Sequence, residues 1–284
     1  LMNMSSRLVI ALGIAGCVIT AGCDLSAGRM IGFGACISGM LLQRMDYSGK
    51  FFPDMQPLNV FVVALIAMLV CAAFGTVTGF FIAYLNVPPF IATLAMMEIV
   101  YGIGLIVTNA TPLGGYVEQY TNVSNGKFLG INYLIWIAII VAAITWFIFN
   151  MTRHGKYMYA IGGNPQAAEV AGVPVKATLI LIYMKAAAMY GLAGFMLGAK
   201  AGGASVNLGY GYEMEAIAAC TIGGVSVTGG RGKVSSAIIG VAVFELLKAA
   251  LQYLGVDANA QYIAIGIVIF VAISLDIRKY VAKK

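Results

Sequence analysis

LNVFVVALIAMLVCAAFGTVTGFFIAYLNVPPFIATLAMMEIVYGIGLIVT, residues 58–108, holds one charged residue, Glu98, in two long apolar runs separated by Asn86-Val87-Pro88-Pro89. A helix needs about 20 apolar residues to cross the hydrocarbon core of a bilayer, with roughly 17–25 as the working range. The runs 58–83 and 90–108 meet that length. Their apolar residues are continuous and do not alternate with period two, which predicts helices and not a barrel. The Asn-Val-Pro-Pro stretch ends one helix and starts the next. The residue before a proline avoids helical backbone, and proline suits the first helical position.

Outward from that pair, further apolar segments lie near 7–22, 27–43, 133–150, 177–198, 214–228, 234–253 and 262–277. The first pair and 214–228 are short or Gly-interrupted. Such pieces survive at membrane depth only when buried in protein or lining a cavity. The whole chain agrees: 61% of its 284 residues are hydrophobic and 10% charged, with a mean hydropathy of +0.92. A soluble chain carries about 25% charged residues. Soluble enzymes, disordered chains and collagen-like rods are excluded. The expected class is an all-α integral membrane protein, a polytopic helix bundle with broken or short helices in a single transmembrane domain over 1–284.

The 35 glycines fit close helix approach and helix breaks. Cys17, Cys23, Cys36, Cys71 and Cys220 read as small buried hydrophobes, and the single histidine, His154, excludes a site built from several His ligands. No metal or cofactor is expected. A net charge of +6 would suggest nucleic acid in a soluble protein, but the basic residues cluster at the ends of apolar segments, where the bilayer explains them.

Lys and Arg set the sidedness. Arg153, Lys156 and Lys176 bracket one loop, Arg231 and Lys233 mark another, and Arg278, Lys279, Lys283 and Lys284 form the tail. With all three cytoplasmic, the segments alternate correctly. The loops 44–57, 109–132, 199–213 and 254–261 then fall on the opposite side. Parity places residue 1 outside. A cytoplasmic start would need one more span, and the chain opens with Leu, so a first helix is expected to be missing from this sequence.

The loop TRHGKYMYAIGGNPQAAEVAGVPVK, 152–176, contains a local helix signal. Asn164 is a good N-cap, Pro165 suits the first position, residues 166–170 continue the helix, and Gly172 can stop it. A helix of one or two turns with an alanine-lined face is not stable alone in water. It rests either on this protein's own cytoplasmic face or in a groove of a soluble partner.

AIGGNPQAAEVAGV (160–173) resembles the cytoplasmic coupling loop of sugar-importing ABC permeases of the ribose/galactose/xylose group. IALGIAGCVITAGCDLSAGR (10–29), IAYLNVPPFIATL (82–94) and YEMEAIAACTIGGVSVTGGRGKVSSAIIG (212–240) carry the same likeness over essentially the whole chain. CDLSAGR, LLQRMDYSGKFFPDM (41–55) and LGVDANAQYIAIG (254–266) point to the galactose/methyl-galactoside branch of the group. The resemblance implies a type II-like importer fold in a bacterial plasma (inner) membrane. It implies a second permease copy, a separate ABC ATPase on the cytoplasmic side, and a periplasmic or lipid-anchored sugar-binding protein. It places Gly162, Gly163, Asn164, Pro165, Ala167, Ala168, Glu169 and Gly172 in the ATPase-contacting loop.

IGGVSVTGGRGKVS (222–235) is not a phosphate loop, because the GxxxxGK[ST] spacing is absent. Gly223 and Gly224 are expected to let a broken helix turn within the membrane and return through 234–253. In CDLSAG (23–28), Asp24 or Ser26 can cap the following helix. Asp24, Ser26, Asn86, Gly223 and Gly224 are also pathway candidates for a hydroxyl-rich sugar.

Glu98, Lys185, Glu245 and Lys248 fall inside apolar segments. Each costs at least about 2.5–3.5 kcal/mol at mid-bilayer unless paired or hydrated. Glu245 and Lys248, three apart on one helix, can pair, and Glu98 would balance Lys185 if their helices touch. The resembled family mostly has uncharged residues at these positions. The three classes to separate are an ABC permease subunit, an ion-coupled secondary transporter using these charges, and a membrane enzyme. The enzyme lacks a recognisable catalytic set here, and the docking loop favours the permease.

Overall fold

The computed structural model describes residues 2–281. Lys283 and Lys284 of the basic tail lie outside the described residues, as does the side chain of Lys279. The elements in chain order are α1 (Met2–Ile19), α2 (Ala27–Leu41), α3 (Val60–Tyr84), α4 (Pro89–Thr108), α5 (Glu118–Asn125), a two-stranded hairpin of β1 (Lys127–Phe128) and β2 (Ile131–Asn132), α6 (Tyr133–Met151), α7 (Arg153–Gly163), α8 (Pro165–Val170), α9 (Val175–Ala201), α10 (Tyr212–Gly223), α11 (Val234–Tyr253) and α12 (Ala258–Val281). Among the described residues six helices, α1, α3, α4, α6, α9 and α11, are long and apolar enough to cross a membrane. Every apolar segment expected from sequence is a helix. The segment 214–228, however, stops being helical at Gly223, where Gly224 takes a φ of 102° and caps α10.

The 27-residue α9 is the axis of the bundle and packs along α1, α2 and α3. Small residues make the approach possible. Gly191 of α9 lies against the backbone of Ala67 in α3, and Gly194 lies against the backbone of Ile31 in α2. Helices in lipid gain little from burying apolar surface, so close backbone contact between small residues does the work instead. Two large side chains, Tyr183 and Tyr190, fill the remaining space and are fully buried. On the outside, Phe61, Ile106 and Phe270 are mostly exposed, as a bilayer-facing surface requires.

The chain sorts its connections to two ends. At one end Gly230 N–H donates to Ile19 O (2.8 Å), Tyr159 Oη donates to Gly232 O (2.8 Å), and Asp276 accepts from Ser226 Oγ (3.0 Å) and Val227 N–H (3.2 Å). The loop 152–176, the loop 224–233 and the C-terminal end of α12 therefore meet, as the Lys/Arg pattern predicts. At the other end Leu113 and Ala204 exchange both backbone bonds, and Arg44 N–H donates to Gly115 O (2.8 Å). Lys200 also donates to Asn3 there. The expected outer loop 199–213 does more than turn: Val206 packs over Gly32 and Gly209 over Gly28. It descends beside α2 before α10 begins.

Candidate functional site

Three features gather the polar chemistry of the bundle, beginning with the short helix at the basic end. Asn164 Oδ1 accepts from Ala167 N–H (3.0 Å), and Pro165 occupies the first turn. Gly172, with a φ of 82°, ends the turn. The cap, the proline and the stop stand where the sequence puts them. The preceding α7 has no apolar run to mark it in the sequence; Thr152 Oγ1 caps it by accepting from Gly155 N–H (3.2 Å). The two alanines of α8 face opposite ways. Ala168 is 5% exposed and packs inward, whereas Val170 is 91% exposed. Gly163, Asn164, Pro165, Ala167 and Glu169 are open to solvent. Gly162 is closed in, because a Cβ there would strike the Ile19 carbonyl and Gly230. His154 on α7 is half-buried near Lys185 of α9, and burial, with that ammonium, pushes its imidazole down to about 4.

Nearer the end of the bundle that holds Asn3 and Lys200, Arg7 (α1), Glu215 (α10), Glu245 and Lys248 (both α11) form one network. Lys248 Nζ lies 2.6 Å from Glu215 Oε1, Arg7 Nε lies 3.3 Å from Glu215 Oε2, and Arg7 Nη1 bonds Glu245. Two cations and two anions leave it neutral. The expected Glu245–Lys248 pair along one helix does not form. Each residue reaches across to another helix, where a fully apolar neighbour would have left it unpaired. Arg7 and Glu215 also sit inside apolar runs, which is the signal the sequence carries for their burial. The network lines an open crevice of about 660 Å³ with Asn3, Tyr212, Gln252 and Gln261.

The expected Glu98–Lys185 pair is also absent among the described residues: Glu98 is exposed on α4, while Lys185 faces His154. The helices carrying them are held apart by α2 and α3, which pack between α4 and α9.

The breaks are closed structures. Asp24 is buried, accepting from Ser26 N–H (3.0 Å), Ser26 Oγ (2.6 Å) and Tyr190 Oη (3.1 Å). Ser26 is the N-cap residue of α2, but its hydroxyl turns to Asp24 and caps no amide. Cys23 O and Leu25 N–H both bond Thr93 Oγ1 of α4 (3.2 Å each). Asn86 is exposed in the α3–α4 turn with a φ of 52°. Gly223 sits at a helix crossing: a Cβ on it would meet Ser236 O, and one on Gly240 would meet Ala219 O.

A bundle of membrane-length helices with interrupted spans, a buried ion network and basic connections at one end is that of a multi-pass membrane protein. The chain belongs to the family described as "Branched-chain amino acid transport system / permease component", which matches residues 1–273. It is 42% identical over 291 residues to the galactose/methyl galactoside import permease protein MglC of Escherichia coli (strain K12), covering 100% of this chain and 87% of the relative. It is 43% identical to the protein of the same name from Haemophilus influenzae, with the same coverage. The ribose import permease protein RbsC of Escherichia coli (strain K12) is 31% identical over 98% of this chain and 84% of its own length. No solved structure matches the chain.

Proposed function

We propose that this chain is the membrane-spanning subunit of an ATP-driven monosaccharide importer of a bacterial inner membrane, with galactose or methyl galactoside as cargo. The observation that carries this reading is full-length identity above 40% to permeases named for those sugars, against 31% to the ribose permease. A separate ATPase docks on the open side of α8, around Asn164, Pro165, Ala167, Glu169 and the exposed Val170. A helix of six residues with an uncovered valine at its tip gains stability from a partner groove. A second copy of the chain completes the path, and a binding protein delivers sugar at the opposite end. Closure of the paired ATPases moves α7 and α8, and the spans reorient between outward and inward access. The chain itself carries out no hydrolysis in this scheme.

The neutral, cross-linked network around Glu215 supports a structural role for Glu245 and Lys248, two of the four charges an ion-coupled carrier would use, while Glu98 and Lys185 lie outside it. The test is co-purification in mild detergent with the cognate ATPase. Val170→Asp should lose the ATPase while melting like the parent. Equal retention by parent and variant would move the socket elsewhere, and binding by neither would overturn the permease–ATPase reading.

A further inference from the structure

Arg29, in the first turn of α2, enters none of the features above. Its guanidinium carbon lies 3.8 Å from the ring centroid of Tyr101 on α4 and 4.5 Å from that of Tyr210 in the descending loop. Nη1 donates to Asn207 Oδ1 (2.6 Å), and Nε is buried with no protein partner. No carboxylate makes an ion pair with it among the described residues. Glu213, the nearby acid, is packed beside Gly28. Tyr101 lies seven residues before the end of α4, hence about 10 Å below that end at 1.5 Å per residue. The cluster is therefore at hydrocarbon depth.

At that depth an exposed polar side chain cannot face acyl chains without cost. Yet Asn207 is exposed, Tyr210 is 65% exposed while covering Arg29, and Glu98 is exposed one helical turn from Tyr101. This side of α4 must face water or protein. We propose that it borders the translocation path and that Arg29, Asn207 and Tyr210 form a sugar-contact site there; the proposal rests on the sugar-permease reading. A monosaccharide offers hydroxyl oxygens as acceptors and C–H faces. A guanidinium has five N–H donors in a fixed fork, and only one is used by Asn207. The two rings hold that fork in place before sugar arrives, and Tyr210 supplies an apolar face. Asp24, by contrast, is buried within a closed break and already accepts three hydrogen bonds.

The experiment uses the complete transporter in proteoliposomes, with its ATPase and binding protein, and measures galactose moved per ATP hydrolysed. Arg29→Lys keeps the charge but loses the fork; Tyr210→Ala removes an exposed ring that the fold does not need. Arg29→Lys should lower galactose per ATP about tenfold, the loss expected for a hydrogen bond to a charged group. Tyr210→Ala should lower it severalfold. Both should change the relative rates for galactose and methyl galactoside, while ATP hydrolysis stimulated by loaded binding protein stays at the parent level. Unchanged transport in both variants, or sugar and ATP rates falling in proportion, overturns the site. If Arg29→Lys does not assemble, Tyr210→Ala decides alone. A parent that moves neither sugar fails earlier, at the sugar-permease reading, and takes this site with it.

Discussion

Glu215→Gln tests whether the intramembrane charges hold the bundle together or take part in transport. The substitution keeps the shape and one acceptor oxygen but removes the charge shared by Lys248 (2.6 Å) and Arg7 (3.3 Å). The neutral network then carries one excess positive charge. Side chains here are 13–19% exposed. Removing one partner of a fully buried pair costs about 3–5 kcal/mol. The open crevice and the retained amide oxygen reduce this to about 2 kcal/mol. Lys248→Met added to Glu215→Gln restores neutrality, leaving Arg7 with Glu245. The double variant should therefore melt above the Glu215→Gln single, with a coupling of about 1–2 kcal/mol. The measurement is the apparent melting midpoint in detergent for parent, two singles and the double, with uptake assayed in parallel. Additive effects would show that Glu215 and Lys248 do not support each other. A Glu215→Gln or Glu245→Gln variant that melts and assembles normally yet abolishes uptake would place these charges in the transport cycle.

Three further outcomes follow from local geometry. Gly162→Ala should lower the melting midpoint sharply, since its Cβ would enter the space of the Ile19 carbonyl and Gly230, whereas Gly163→Ala meets nothing within 4 Å and should be silent. Ala168→Glu should also destabilise the chain, by forcing a carboxylate into a buried site at a cost of several kcal/mol; normal melting with selective loss of the ATPase would contradict the inward face assigned to Ala168. His154, held down to about 4, stays neutral in the fold where a free imidazole, with an ordinary value near 6.5, begins to protonate. The unfolded chain then binds the extra proton, so stability is constant above about pH 6.5 and declines as pH falls toward 4. His154→Gln should flatten that part of the melting curve against pH, and an unchanged slope would refute the assignment.

The spans were legible because a bilayer imposes one length and one composition on every crossing helix. The short elements at the rim obey no such constraint. α5, the β1–β2 hairpin and α7 are built from mixed sequence, and only their contacts define them. The cap of α8 was readable because Asn164-Pro165 encodes it within one turn. Which side of α8 faced outward was not readable, because Ala167 and Ala168 are chemically identical and only tertiary packing separates them. The charges illustrate the same limit. Local spacing offers Glu245 a partner at Lys248, but a neighbour three residues on competes with any helix that brings an opposite charge across. Here α1 brings Arg7 and α10 brings Glu215, and both were visible as charges in apolar runs without any sign of whom they would meet.

The packing around Gly162 bears on how motion at α8 would reach the spans. α7 touches the end of α1 at Ile19 and the loop 229–232 through backbone atoms, with Tyr159 bonded to Gly232 O (2.8 Å). Contacts between backbones have no rotamers to absorb a displacement, so a shift of α7 must be passed on or must break the seat. Two routes leave that seat. One runs up α1 to Arg7, and the other runs through Gly224 into α10 and Glu215. They rejoin at the ion network, whose Arg7–Glu215 bond ties them together again. A push at α8 would thus move α1 and α10 as a pair. Weakening the network should loosen that pairing, so Glu215→Gln should reduce sugar moved per ATP even at temperatures well below its melting midpoint. An unchanged ratio there would show that α1 and α10 need no ionic tie to move together.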